Sequence, residues 1–410
     1  MADPDILGSP APYAGDGVPF DEQVRRAAAR SRRWRRGGVI GAVVALGTAA
    51  VLASRAIPGA PPDAPVVTAA PSRSDPPDRP TGHGGGVSVI DVAIGRRQAY
   101  ALLGSCEGPD PAQRCAYRLV RQPNPGGRWQ HSPLPLPPPA DGDGFSARLL
   151  LARGDMLTVL DDARGRAYVS TDGVRFSTRR LTRGPSLADV PAGLTPELHD
   201  GLVVVVDPAT GQRRPLATQP RLGAWVGSLG YRDGVLWAAG DAGRGVVTGV
   251  STDQGRSWRL LPVPGPGGLQ QLQVIPIPGG GAYLLGGRDD RPEVRNEFSE
   301  LWRLDDPTRP GARWSRVRDP RWPPSASSVV ALAGGDLLVT DEISGAWRVA
   351  PDGVSRLPEA YVGGSAVAPG HLVAGPDGTL LGRPAVELGE AVLLVSRDQG
   401  ESWQVEVLPG

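Results

Sequence analysis

From Val87 onward the chain alternates short apolar runs with clusters of glycine, proline and aspartate, and few stretches hold an apolar period of helical length. That pattern predicts short β-strands joined by tight turns. The sixth unit shows it most plainly: Ser327 to Leu332, Asp336 to Thr340, Ala346 to Val349 and Val354 to Leu357 read as four successive strands. The turns recur. Centred on Asn124, Asp172, Asp207, Asp253, Asp305, Asp352 and Asp398, they stand 48, 35, 46, 52, 47 and 46 residues apart. Seven four-stranded units of similar length predict an all-β fold, a seven-bladed β-propeller over 87–410. A blade cannot bury both of its faces alone, so each must pack on its neighbours. The aromatics that follow five of the turns, Trp129, Phe176, Trp258, Trp314 and Trp403, are therefore expected in the seams between blades. The third unit is the shortest, and its turn lacks an aromatic.

Two of the turns share one motif, Ser251-Thr252-Asp253-Gln254-Gly255-Arg256-Ser257-Trp258 and Ser396-Arg397-Asp398-Gln399-Gly400-Glu401-Ser402-Trp403. The aspartate can accept turn N–H groups, the glycine can take a positive φ, and the tryptophan opens the return strand. Ser170, Asp172 and Gly173 form a shorter version. The pattern S-x-D-x-G-x-[ST]-W resembles the Asp-box, or BNR repeat, of the sialidase-type propellers. That resemblance implies a hairpin between the third and fourth strands of a blade, on the side away from the family's catalytic face. It speaks for fold more than for activity.

A sialidase of that family needs three arginines to hold the substrate carboxylate, a Tyr–Glu nucleophile pair and an acid/base aspartate. The family's [FY]-R-I-P signature is absent, and Tyr100, Tyr168, Tyr231, Tyr283 and Tyr361 lie in or beside apolar runs, so no catalytic position is carried over. His83, His131, His199 and His371 lack metal-ligand spacing, and neither a nucleophile elbow nor a P-loop occurs. The reading names no catalytic residue, cofactor or metal. The candidate binding surface consists of loops on the face opposite the Asp-box turns: Asp161 and Arg164, Arg244, and the loop holding Asp289, Asp290, Arg291, Glu293 and Arg295. These residues are expected to rim a pocket at the propeller mouth; read blandly, they are solvated loop charges. Paired aspartates such as Asp161 and Asp162 should diverge if they sit on a strand.

The N-terminal quarter reads differently. A basic segment with seven arginines between Arg25 and Arg36 precedes an uncharged run from Gly37 to Ser54. Those 18 residues would span roughly 27 Å as a helix, enough for a hydrocarbon core. The arginines place the N-terminus in the cytoplasm by the positive-inside rule. The expected organisation is a cytoplasmic tail over 1–36, a transmembrane helix over 37–57 that contacts the membrane from Gly37 to Ile57, a disordered Pro-rich linker over 58–86, and an extracytoplasmic propeller. A cleaved signal peptide ending near Val51-Leu52-Ala53 is the alternative. Cys106 and Cys115 suit a local disulfide in an exported domain, or else remain two free thiols. With a net charge of +1, no acidic polymer is implied as a partner, nucleic acid included. The expected function is non-catalytic binding of an extracytoplasmic protein or glycan by a monomer. The alternative is an exo-sialidase-like glycoside hydrolase with a divergent active site.

Overall fold

The structure, a computed structural model, describes residues 87–409 apart from 108–113, 140–144, 153–154, 224, 242–244, 266–268, 270, 288–297, 318–325, 342–344, 359, 363–364, 368 and 385–389. The segments read as tail, membrane helix and linker, over 1–36, 37–57 and 58–86, lie outside these residues. Among the described residues no helix is long and apolar enough to cross a membrane.

The described chain forms seven four-stranded sheets, which are the blades of a propeller. Six are simple meanders in which each strand pairs antiparallel with the next, from an inner first strand to an outer fourth. Their first strands are Val87–Ile94 in blade 1, Arg148–Ala152 in blade 2, Trp225–Arg232 in blade 4, Gln271–Pro276 in blade 5, Ala326–Ala331 in blade 6 and Pro369–Ala374 in blade 7. The sixth blade matches the sequence reading to within one residue at nearly every boundary, with strands Ala326–Ala331, Leu337–Asp341, Gly345–Ala350 and Gly353–Arg356. A small hairpin, Ala360–Val362 with Ser365–Val367, stands between blades 6 and 7.

Blade 3 departs from the expected plan. Its sheet runs Pro196–His199, Leu202–Asp207, Gln212–Pro215, and its outer strand is Thr182–Arg183, taken from the chain before it and paired parallel. The turn after Asp207 therefore joins the second and third strands, not the third and fourth. Asp207 still behaves as a turn residue, accepting the Ala209 amide at 2.9 Å, but its corner lies on the opposite face from the other six.

Those six corners fall where the turn chemistry put them, between third and fourth strands. In the two full motifs the wiring is the same. Gly255 N donates to Ser251 Oγ at 2.7 Å, Ser251 Oγ donates to Asp253 Oδ1 at 2.7 Å, and Asp253 also accepts Ser257 N at 3.0 Å and Ser257 Oγ at 2.6 Å. Ser396, Asp398, Gly400 and Ser402 repeat it bond for bond. Gly255 has φ of 96°, and a Cβ there would stand 2.4 Å from Leu216 Cδ1, so the position admits no side chain. The shorter copy closes through Ser170, Asp172 and Gly173, with Gly173 N on Ser170 Oγ at 2.8 Å.

Seven apolar clusters of the core each lie between two adjacent blades. The expected aromatics are in them: Phe176 packs between blades 1 and 2, Trp258 between 3 and 4, Trp314 between 4 and 5, Trp403 between 6 and 7, and Trp129 between 7 and 1. Among the described residues no strand is shared at the closing seam. Blades 7 and 1 meet through that cluster, a 2.6 Å bond from Trp129 Nε1 to Glu406, and a bond from Arg383 to the Val89 carbonyl. Cys106 and Cys115 face one another across the second and third strands of blade 1 and are joined as a disulfide.

Candidate functional site

An inner strand has a hydrogen-bonded neighbour on one side only, so its other edge must find partners elsewhere. Among the described residues, three blade junctions meet this demand with one device. Each first strand carries at least one polar residue followed by an apolar one, among them Asp91 and Val92, Arg148 and Leu149, Glu197 and Leu198, Ser228 and Leu229, Gln273 and Val274, Ser328 and Val329, His371 and Leu372. Three of the polar side chains accept the amide of the apolar residue in the next blade. Asp91 Oδ2 takes Leu149 N at 2.7 Å, Ser228 Oγ takes Val274 N at 2.9 Å and Ser328 Oγ takes Leu372 N at 3.0 Å. In blades 1, 4, 6 and 7 the register slips by one residue just before the polar position, a bulge that re-aims the side chain.

The seven positions make a polar collar on the inner strands, and its chemistry is lopsided. Blades 4, 5 and 6 contribute Ser228, Gln273 and Ser328. Blades 7, 1, 2 and 3 contribute His371, Asp91, Arg148 and Glu197. This charged half is the candidate site.

Between blades 2 and 3 the collar becomes an ionic cluster. Arg148 reaches Glu197 at 2.6 Å and Asp162 at 3.2 Å. Arg213, on the third strand of blade 3, also bonds Asp162, stands 3.3 Å from Glu197 and has Nη1 3.3 Å from His199 Nε2. Only 2% of the Glu197 side chain is exposed. Burial opposes the Arg148 charge, but Glu197 and Asp162 outweigh it and push its pKa up. For Asp162 burial acts against ionisation, and Arg148 with Arg213 still hold the carboxyl below its usual range. Two guanidinium groups thus meet two carboxylates, and neither fork is presented unmatched.

Between blades 7 and 1 the pair is of another kind. His371 Nε2 stands 4.0 Å from Asp91 Oδ1, beyond hydrogen-bond reach, and about a fifth of each side chain is exposed. Burial lifts Asp91 to about 6 despite the Leu149 and Val92 amides that its oxygens accept. Burial, helped by the nearby Arg383 charge, lowers His371 to about 4. At neutral pH the imidazole is uncharged and the carboxyl mostly ionised, and the carboxyl titrates near pH 6. Both oxygens of Asp91 are engaged by main-chain N–H groups, which fixes the carboxyl as a joint between blades.

The residues singled out from sequence fare unevenly. Asp161 and Arg164 come together in a closed turn. Asp161 is 1% exposed and its two oxygens meet Arg164 N at 3.1 Å and Arg164 Nη1 at 3.3 Å, while Arg164 Nη2 donates to the Pro138 carbonyl. Its neighbour Asp162 is the one that joins the ionic cluster, so the two carboxylates diverge as adjacent positions at a strand end should. Arg244, Asp289, Asp290, Arg291, Glu293 and Arg295 lie outside the described residues. Tyr100, Tyr168 and Tyr283 are fully buried. Among the described residues no group of three or more His, Cys, Asp or Glu is arranged to hold a metal.

Sequence reasoning missed Asp91, Arg148, Glu197, Arg213 and His371. The available signal was the polar residue ahead of each inner apolar run, visible when the units are aligned on their first strands instead of on their turns.

No family model matches the chain, and no curated protein matches it in sequence. Among solved structures it is similar to a streptogramin B lyase, at 12% identity and a TM-score of 0.47, over 74% of this chain and 92% of that one. It is also similar to virginiamycin B lyase from Staphylococcus aureus, at 12% identity and 0.32, over 79% and 84%. YCF48 bound to D1 peptide gives 14% identity and 0.32, over 78% and 83%. At these values none of the three bears on what this chain binds or does.

Proposed function

We propose that the protein is a membrane-tethered, extracytoplasmic recognition propeller of the sialidase type, with Asp-box corners on one face and a binding surface for a protein or glycan on the other. The observation that carries this reading is the internal neutralisation of the charged collar. A sialic-acid site needs arginines left open for a substrate carboxylate, whereas Arg148 and Arg213 are each answered by Asp162 and Glu197. The bond-for-bond agreement of the two S-x-D-x-G-x-S-W corners supports the family reading. Tethering by 37–57 and spacing by 58–86 follow from the sequence pattern alone.

The test pairs two assays. Pull-down with the full-length protein should recover a surface protein or polysaccharide, and a panel of fluorogenic glycosides, sialosides included, should show no turnover. Turnover that disappears in Asp91→Asn would reverse the reading.

A divergent glycoside hydrolase is the second reading, and one observation favours it. A carboxyl held near 6 beside a neutral imidazole is the kind of pair that acid/base catalysis uses. The Asp91→Asn assay decides between the two.

A further inference from the structure

The outer edges of blades 2 and 3 carry an arginine surface outside the collar. The chain climbs the outer strand of blade 2, Ser177–Arg180, passes Leu181, and descends as Thr182–Arg183 beside blade 3. This arch stands at the end of the blades that carries the turns between second and third strands, the same end as the ionic cluster. Arg166, Arg179, Arg180 and Arg183 are exposed, and Arg214 is half-buried beside them. Counting Arg148, Arg164 and Arg213, eight arginines of blades 2 and 3 share this end with four described carboxylates, Asp161, Asp162, Glu197 and Asp207. In a chain of net charge +1 that is a marked local excess.

Three observations give the excess a direction. Asp161, Asp162 and Glu197 are already held by Arg164, Arg148 and Arg213, so the arch arginines have no carboxylate partner among the described residues. Arg166 and Arg180 are direct cross-strand partners, and like charges placed opposite one another destabilise a sheet. Arg179 Nε and Arg214 Nε donate to the carbonyls of Ala209 and Pro185, both at 3.1 Å, which positions the forks without neutralising them. A surface that costs stability and holds cations in place is built for an anion.

We propose that this arch binds a linear polyanion, a polysaccharide bearing carboxylate, sulfate or phosphate groups. The proposal deepens the recognition role and rests on it. An extended chain fits better than a bilayer, because the cations sit along a narrow run of backbone, from Arg179 to Arg183 with Arg166 and Arg214 beside it. A membrane-binding surface also pairs its cations with exposed large apolar side chains. Among the described residues those are Leu202, Leu260 and Val407, and none lies on the strands of the arch.

The test uses full-length protein and fluorescein-labelled dextran sulfate, with neutral dextran and phosphatidylglycerol vesicles as the other arms. The triple variant Arg166→Gln/Arg180→Gln/Arg183→Gln should bind dextran sulfate about tenfold more weakly, with a shallower salt dependence. The variant Arg309→Gln/Arg313→Gln, altered in exposed arginines of the blade 5 corner, should bind as the parent does. Neutral dextran should not bind. The melting temperature of the triple variant should stay level or rise, whereas a structural role for these arginines would lower it. Undiminished dextran sulfate binding by the triple variant overturns the proposal. So does an equal loss of vesicle binding, which would make the arch a bilayer surface. Failure of this inference and failure of the recognition role are distinguishable. A captured partner that the triple variant still recovers keeps the role and removes the arch from it, while arch-dependent dextran sulfate binding with no captured partner does the reverse.

Discussion

The seam between blades 4 and 5 and the seam between blades 2 and 3 solve the same problem with opposite materials. At the first, fourteen of the described residues form a buried apolar cluster, Trp237, Trp302 and Trp314 among them, with Trp237 and Trp314 edge to face at 5.4 Å. Each indole N–H finds a partner: Thr248 Oγ1 for Trp314, the Gly280 carbonyl for Trp237 and the Pro264 carbonyl for Trp302. At the second, five buried apolar residues remain among those described, and Arg148, Asp162, Glu197 and Arg213 bridge the rest. Apolar burial is non-directional and holds no titrating group, while an ionic joint responds to pH and to screening. The ring therefore has a rigid arc and an adjustable one, and the adjustable arc is where the charged collar and the arginine arch lie.

The largest expected effect breaks the rigid arc. Trp314→Ala should cost about 3 to 5 kcal/mol, because it removes a fully buried indole and its bond to the Thr248 hydroxyl. Urea unfolding reads this directly. A loss below about 1 kcal/mol would mean that the tryptophan seam is not the stronger one.

Next comes the ionic seam. Glu197→Ala leaves Arg148 and Arg213 converging on Asp162 alone, with an expected cost of roughly 2 to 3 kcal/mol. This is below the usual figure for breaking a buried pair because 31% of the Arg148 side chain is exposed. Replacing the pair together, as Arg148→Met/Glu197→Leu, keeps Asp162 with Arg213 and should recover all but about 1 kcal/mol. If the double variant is as unstable as the single one, the cluster contributes packing and not charge balance.

How much of this was legible follows from the same contrast. Turn chemistry is local, so Asn124, Asp172, Asp253, Asp305, Asp352 and Asp398 announce their corners from a few neighbouring residues. Asp207 misleads because Asp-Pro-Ala-Thr-Gly is an equally good turn placed one strand earlier. Nothing local reveals that blade 3 borrows its outer strand from residues 182–183. The collar stayed hidden for a different reason. It is one residue per blade, and Arg148 and Glu197 become partners only when two blades stand side by side. Loop charges such as Asp161 and Arg164 drew attention by their density, yet a short turn lets such charges satisfy one another.

A smaller effect tests the collar between blades 7 and 1. Asp91 has a folded pKa raised to about 6, so between its unfolded value near 4 and about 6 the native state holds the extra proton and stability falls as pH rises. His371 is lowered to about 4, so from about 4 to 6.5 the unfolded state holds the extra proton and stability rises with pH. The two slopes oppose each other and should leave the parent nearly flat over this window. Asp91→Asn should expose the rising slope and His371→Gln the falling one, each amounting to about 1 to 3 kcal/mol across the window. Melting temperatures at pH 4.5 and 6.5 suffice, and parallel profiles in the two variants would refute the assignment.

The smallest effect sharpens the contrast at the arch. If Arg166 and Arg180 face each other without carboxylates to relieve them, Arg180→Gln should stabilise the protein by about 0.2 to 1 kcal/mol in low salt. Screening should remove the gain at 1 M salt, where the Debye length is only about 3 Å. The tryptophan seam offers no comparable gain, since every atom there already favours the folded ring. Urea midpoints at the two salt concentrations measure it. A salt-independent loss would show that Arg180 is a packing residue, and the adjustable arc would then shrink to the Arg148 to Arg213 cluster alone.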